Sequence, residues 1–67
     1  MNKKVNDFIV FCIEVYKADK NLSGKDVYEL FKNKGVLEYL EDGYDILHTQ
    51  GKDWIINDID ELLRTKS

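Results

Sequence analysis

Proline is absent from this sequence of 67 residues, and cysteine and histidine occur once each. The single cysteine, Cys12, excludes a disulfide within the chain, and with only one histidine it also excludes the ligand sets of zinc fingers. No stretch approaches the roughly 20 apolar residues that span a bilayer, and no cleavage site of a signal peptide follows the first lysines. We therefore expect a cytoplasmic protein that makes no contact with membranes.

The chain is also short. A domain of this length buries only roughly 60% of the surface that its unfolded chain exposes, so its core is small and a partner subunit can add to it. A deep catalytic pocket needs more chain than this, and we expect no enzyme. Because linkers, repeats and low-complexity tracts are missing, residues 1–67 are predicted to form a single small helical domain.

Charge is distributed unevenly along the chain. The net charge is −3, with +2 in residues 1–34 and −5 in residues 35–67. This balance opposes attraction to the phosphates of nucleic acids. The asymmetry is compatible with head-to-tail self-association or a basic partner, but a solvated surface with uneven charges is the favoured explanation.

Hydrophobic spacing predicts an all-α fold, a compact small bundle of three to five helices. Ser23 and Asp26 resemble a capping box, and Gly35 is placed to end the second helix in the left-handed conformation. Residues after Gly43 also alternate like a strand, which leaves the helical turn predicted there open to another interpretation. The predicted helices cover residues 4–20, 23–34, 36–42, 44–49 and 52–65.

The first predicted helix carries an apolar stripe about 200° wide, twice what a surface helix needs. Such a helix packs against two neighbours, either because it is central in the fold or because its outer flank meets another subunit. Cys12 lies in the stripe and is expected to be a small core residue. Val10 lies off the stripe and is expected to be partly exposed. The interface residues expected in the second case are Val10, Phe11 and Val15.

Side chains capable of chemistry concentrate between Gly43 and Gly51. Asp45 and His48 are three residues apart, so on a helix the carboxylate would orient the imidazole and raise its pKa. Catalysis also needs a nucleophile, for which Thr49 is a weak candidate. In the competing interpretation these side chains cap helix ends and the two glycines supply positive φ angles. The candidate binding residues are Tyr44, Asp45, His48, Thr49, Gln50 and Trp54.

We expect no catalytic residue, no metal ligand and no cofactor, because the acidic residues around His48 match no known spacing of metal ligands. Trp54 lies outside the apolar stripe of the last predicted helix. Two interpretations remain open for it: the ring folds back over residues 48–50 as a lid, or it anchors an interface, as aromatic hot spots do.

The strings Tyr28-Glu-Leu-Phe31, Gly35-Val-Leu-Glu-Tyr-Leu40 and Gly43-Tyr-Asp-Ile-Leu-His-Thr-Gln-Gly51 occur in this order along the chain. Together they resemble a family of very small bacterial proteins known as a domain of unknown function. The resemblance extends over nearly the whole chain and implies no established activity. It implies a setting beside toxin-like or mobile-element genes, and hence an antitoxin-like role.

These observations favour a small protein–protein interaction module, antitoxin-like or regulatory, which binds itself as a homo-oligomer or binds a partner protein through apolar and aromatic surface. The alternative is a nucleic-acid-associated regulator in which two helices joined at Gly35 form an arrangement like a helix-turn-helix. Lysines between residues 25 and 34 favour the alternative. Glu38, Glu41 and Asp42 oppose it, because they repel phosphates.

Overall fold

The computed structural model describes residues 2–65 and folds them into five α-helices without a strand. The predicted all-α bundle is therefore confirmed, and the ambiguous segment after Gly43 is helical for one turn. The helices are α1 (Lys3–Lys20), α2 (Gly24–Asn33), α3 (Val36–Asp42), α4 (Tyr44–Leu47) and α5 (Lys52–Thr65).

Local chemistry sets the ends of these helices. The Ser23 hydroxyl accepts a hydrogen bond from the backbone N–H of Asp26 at 3.0 Å, which confirms the predicted cap of α2. Gly35 adopts the left-handed conformation between α2 and α3, with a φ of 74°, as its position predicted. Asn21 ends α1 in the same conformation, with a φ of 57°; asparagine tolerates this region better than other residues with a side chain.

The predicted roles of Gly43 and Gly51 are wrong, because neither glycine has a positive φ. Gly43 has a φ of −94° and is needed for space instead. A β-carbon there would lie 2.8 Å from Cδ1 of Leu47 and 3.2 Å from the carbonyl oxygen of Tyr39. The chain thus turns from α3 into α4 through a close approach that a side chain would obstruct.

Helix α1 is the centre of the bundle and packs against α2, α3 and α5. This position explains most of its wide apolar stripe, and Cys12 lies in the core as predicted. Val10 and Phe11 nevertheless remain exposed on α1. The buried core consists of Val5, Phe8, Ile9, Cys12, Tyr16, Val27, Phe31, Val36, Leu40, Leu47, Ile55, Ile56 and Ile59.

Two tyrosine–aspartate hydrogen bonds hold α5 between α1 and α3. The Tyr16 hydroxyl of α1 donates to Asp60 at 2.6 Å, and the Tyr39 hydroxyl of α3 donates to Asp58 at 2.5 Å. Lys20 adds an ion pair with Asp60 at 2.9 Å. Because Asp58 and Asp60 are two residues apart on α5, the bonds brace opposite flanks of that helix and fix its orientation.

These bonds also change the ionisation of the groups that make them. Burial and the hydrogen bond to Asp60 raise the pKa of Tyr16, and the hydrogen bond to Asp58 with burial raises the pKa of Tyr39 to about 12. Burial alone would raise the pKa of Asp60, but the hydrogen bonds from Tyr16 and Lys20 outweigh it and lower that pKa. The hydrogen bond to Asp60 raises the pKa of Lys20. The network therefore favours neutral tyrosines beside ionised Asp60 at neutral pH.

Candidate functional site

The segment between Gly43 and Gly51 holds its aromatic side chains in a stack on the surface. The Tyr44 ring meets the Phe8 ring edge-on at 5.6 Å, and the His48 ring stacks on Tyr44 at 4.3 Å, with 9° between their planes. Nδ1 of His48 lies 2.6 Å from the carbonyl oxygen of Tyr44. A carbonyl oxygen only accepts, so Nδ1 carries the proton of the neutral ring and Nε2 is left as the acceptor.

The predicted pairing of Asp45 with His48 is wrong. Helix α4 ends at Leu47, so the His48 ring folds back over that single turn onto Tyr44 while Asp45 is exposed. Thr49 also bonds backward, because its hydroxyl donates to the carbonyl oxygen of Ile46 at 2.7 Å. Both side chains bond back to carbonyl oxygens at the end of α4, each of which also accepts the backbone N–H of the same residue, His48 or Thr49. This geometry supports the capping interpretation of the segment.

The same bonds determine what this segment can do chemically. His48 and Thr49 are exposed, and each uses a polar atom to cap α4, so they do not form a pair of base and nucleophile. Gln50 is half-buried, and its backbone N–H donates to the carbonyl oxygen of Leu47. Over residues 2–65, no group of three or more histidine, cysteine, aspartate or glutamate side chains is placed to hold a metal ion.

Trp54 lies on the outer side of α5 and is 45% exposed. The surface hollow beside it is lined by Asn57, Asp58 and Glu61 of the same helix. Tyr44, in contrast, uses its ring against Phe8 and His48. The contacts of Tyr44 and the hollow beside Trp54 therefore have no residue in common.

The three predicted interface residues on α1 also separate into two groups. Phe11 is 44% exposed and Val15 is half-buried, and because they are four residues apart they share one face of the helix. Val10 is 50% exposed but lies about 100° around the helix from Phe11. The structure thus provides a continuous apolar strip at Phe11 and Val15, with Val10 outside it.

An open groove of about 370 Å³, which the sequence did not predict, lies between α1 and α5. Val15, Ala18 and Ile56 make it partly apolar, and most of its charged residues are acidic. The α1 wall of the groove could be seen in the sequence, where acidic residues flank Val15 and Ala18. The spacing of residues along the chain could not show that α5 lies opposite that wall. We call this the acidic groove; its residues are Glu14, Val15, Ala18, Asp19, Lys52, Asp53 and Ile56.

Cys12 offers no reactive thiol to any of these surfaces. Its side chain is fully buried, and burial raises the pKa of the thiol to about 12. The thiolate, which is the nucleophilic form of cysteine, is therefore scarcely populated at neutral pH.

Comparison with known proteins gives the family of the chain. No curated protein and no solved structure matches it, and none of the helices in the described part is both long and apolar enough to cross a membrane. The family model described as "Protein of unknown function (DUF3791)" matches residues 7–66. The match includes all five helices except the first turn of α1, and the chain belongs to this family of proteins of unknown function.

Proposed function

We propose that this protein is a small interaction module, which binds a second protein or a second copy of itself through the strip of α1 that contains Phe11 and Val15. The exposure of Phe11 carries this proposal. A phenylalanine in a chain this small is expected in the core, yet nearly half of this side chain meets solvent on the helix that organises the bundle.

The position of the strip suits recognition. Full burial of a phenylalanine contributes about 1.5–3 kcal/mol, so covering the exposed part of Phe11 would contribute about 1 kcal/mol. The buried face of α1, about 100° around the helix, is fixed in the core by Cys12 and Tyr16. A partner would therefore meet a rigid helix and lose little conformational freedom on the protein's side of the interface.

An antitoxin-like role is the narrower form of this proposal, in which the strip and the acidic groove cover the functional surface of a basic partner. The acidic balance of residues 35–67 supports a basic partner by charge complementarity. We also propose that the protein acts in the cytoplasm, where a lone thiol such as Cys12 stays reduced.

The experiment compares Phe11→Asp with Val10→Asp as the matched control, because both residues are exposed on α1 but only Phe11 lies on the strip. Light scattering over a concentration series measures self-association, and co-expression with the product of the adjacent gene measures capture of that protein. We expect Phe11→Asp to abolish whichever association occurs and Val10→Asp to retain it. The proposal would be overturned if both variants associated equally. It would also be overturned if the wild-type chain associated neither with itself nor with the product of the adjacent gene.

A second candidate function is binding to nucleic acid through α2. Lys32, Asn33 and Lys34 meet at a hollow near the end of this helix, which favours contact with phosphate. Glu38 lines the same hollow and opposes it. Gel shifts with duplex DNA over a salt series test this function, and no shift at low salt would exclude it.

A further inference from the structure

We propose that the acidic groove is the docking site for the exposed face of α2 from a second copy of this chain, so that copies associate head to tail. The inference rests on the proposed function, because Val15 lines the groove and shares one face of α1 with Phe11. The partner is a second copy of the chain, and its docking element is the α2 face. We define the α2 face by Lys25, Tyr28 and Lys32.

The groove has the chemistry to receive an aromatic residue flanked by positive charges. Its volume of about 370 Å³ is at the small end of ligand pockets and accommodates one aromatic side chain. Glu14, Asp19 and Asp53 contribute three negative charges at the groove, against one positive charge from Lys52. The groove is thus apolar at its floor and electronegative at its edge.

Lysines of α1 pair only weakly with two carboxylates of that edge. Glu14 and Asp19 lie 3.5 Å from the ammonium groups of Lys17 and Lys20, but all four side chains are at least one-third exposed. Exposed pairs of this kind contribute about 0–1 kcal/mol, so their carboxylates can exchange partners at little cost.

The α2 face offers the matching chemistry. Tyr28 is 46% exposed, and Lys25 and Lys32 lie three residues before it and four residues after it, which places all three on one side of the helix. Neither lysine forms an ion pair within residues 2–65. Glu29 is the nearest acidic neighbour along this face. Two unpaired ammonium groups around a half-exposed aromatic ring complement a groove with three carboxylates.

The groove and the α2 face cannot meet within one chain. Val15 faces the groove, whereas the side chain of Lys17, about 160° away around α1, lies 3.9 Å from where a β-carbon on Gly24, at the start of α2, would be. Helix α2 therefore lies on the other side of α1, with Tyr28 directed to solvent. Docking between different surfaces is heterologous, and each added copy leaves one free groove and one free α2 face.

Two variants test this directly. Ala18→Arg fills the groove with a long basic side chain, and Tyr28→Glu places a negative charge in the α2 face; both positions are exposed, and circular dichroism verifies that each variant folds. In light scattering at low salt, we expect the wild-type mass to rise with concentration to at least twice that of the monomer. Each variant alone should remain a monomer, and Val10→Asp should assemble like the wild type.

The mixture of the two variants gives the decisive result. Ala18→Arg retains an intact α2 face and Tyr28→Glu retains an intact groove, so an equimolar mixture should form a 1:1 dimer that does not grow further. Because the contact is largely electrostatic, we expect it to weaken in 1 M salt, where charges are screened within about 3 Å.

The inference would be overturned by a wild-type chain that stays monomeric at every concentration, by variants that assemble like the wild type, or by a mixture that remains monomeric. If the wild type is monomeric but captures the product of the adjacent gene in a manner that depends on Phe11, the proposed function stands and this inference fails. If Tyr28→Glu loses binding to duplex DNA but keeps the light-scattering mass of the wild type, the inference is also overturned. The α2 face would then be assigned to binding nucleic acid.

Discussion

Removing one hydroxyl group from the core edge tests how α5 is held. In Tyr16→Phe the ring stays buried against Phe31, and only the hydrogen bond to Asp60 is lost. Hydrogen bonds to charged groups contribute about 1.5–3 kcal/mol. The Asp60 side chain is 31% exposed and keeps its ion pair with Lys20, so water can replace part of the lost bond. We expect the variant to lose about 1.5 kcal/mol of stability at pH 7, at the low end of that range.

The loss should depend on pH in a specific direction. The hydrogen bond from Tyr16 helps to lower the pKa of Asp60 in the folded protein below its ordinary value of 3.8. Below pH 3.8 the unfolded chain binds more protons than the folded protein does. The stability that this carboxylate contributes is therefore present above pH 3.8 and is lost as the pH falls through the lower pKa of the folded protein. The difference between wild type and Tyr16→Phe should therefore narrow as pH falls below 3.8.

Urea denaturation followed by circular dichroism measures both effects. Tyr28→Phe is the matched control, because the Tyr28 ring is exposed and its hydroxyl makes no hydrogen bond within the described residues; it should change stability by less than about 0.5 kcal/mol. The reasoning is refuted if Tyr16→Phe is as stable as that control at pH 7, or if its deficit stays constant down to pH 3.

Three further predictions concern caps, space and burial. Ser23→Ala should cost about 1 kcal/mol in thermal denaturation, because α2 loses its N-cap; an unchanged melting temperature would contradict this. Gly43→Ala should cost about 1–3 kcal/mol through the contact with Leu47, whereas Gly51→Ala, with nothing within 4 Å, should be nearly neutral; equal stabilities would contradict the steric argument. Cys12 should react with a thiol reagent in urea but not in the folded protein, and prompt native reaction would refute its burial.

The helices could be predicted because local rules and tertiary packing agree. Ser23 stands where α2 needs an oxygen acceptor, and Gly35 stands where the chain needs a left-handed residue. The apolar stripe of α1 required two neighbours, and the structure supplies three. Each of these features depends on residues within one or two turns of one another, which is the range over which sequence spacing carries geometric information.

The site could be predicted less well, because it depends on where separate helices meet. Asp45 and His48 had the correct spacing for a contact, but a one-turn helix let the imidazole fold back onto Tyr44. The acidic groove needed the placement of Ile56 against Val15, two residues 41 positions apart. Spacing along one helix cannot specify such a contact, because it depends on how two helices cross.

The bonds that hold α5 also bear on recognition, because α1 and α5 form the two walls of the acidic groove. Tyr16 and Lys20 of α1 both bind Asp60, and the groove lies beside this junction, one to two turns nearer the start of α5. A groove between two rigidly connected helices keeps its width without a ligand, which lowers the entropic cost of filling it. In a chain with so small a core, the same polar contacts that position the last helix therefore also prepare the surface on which we place the interaction.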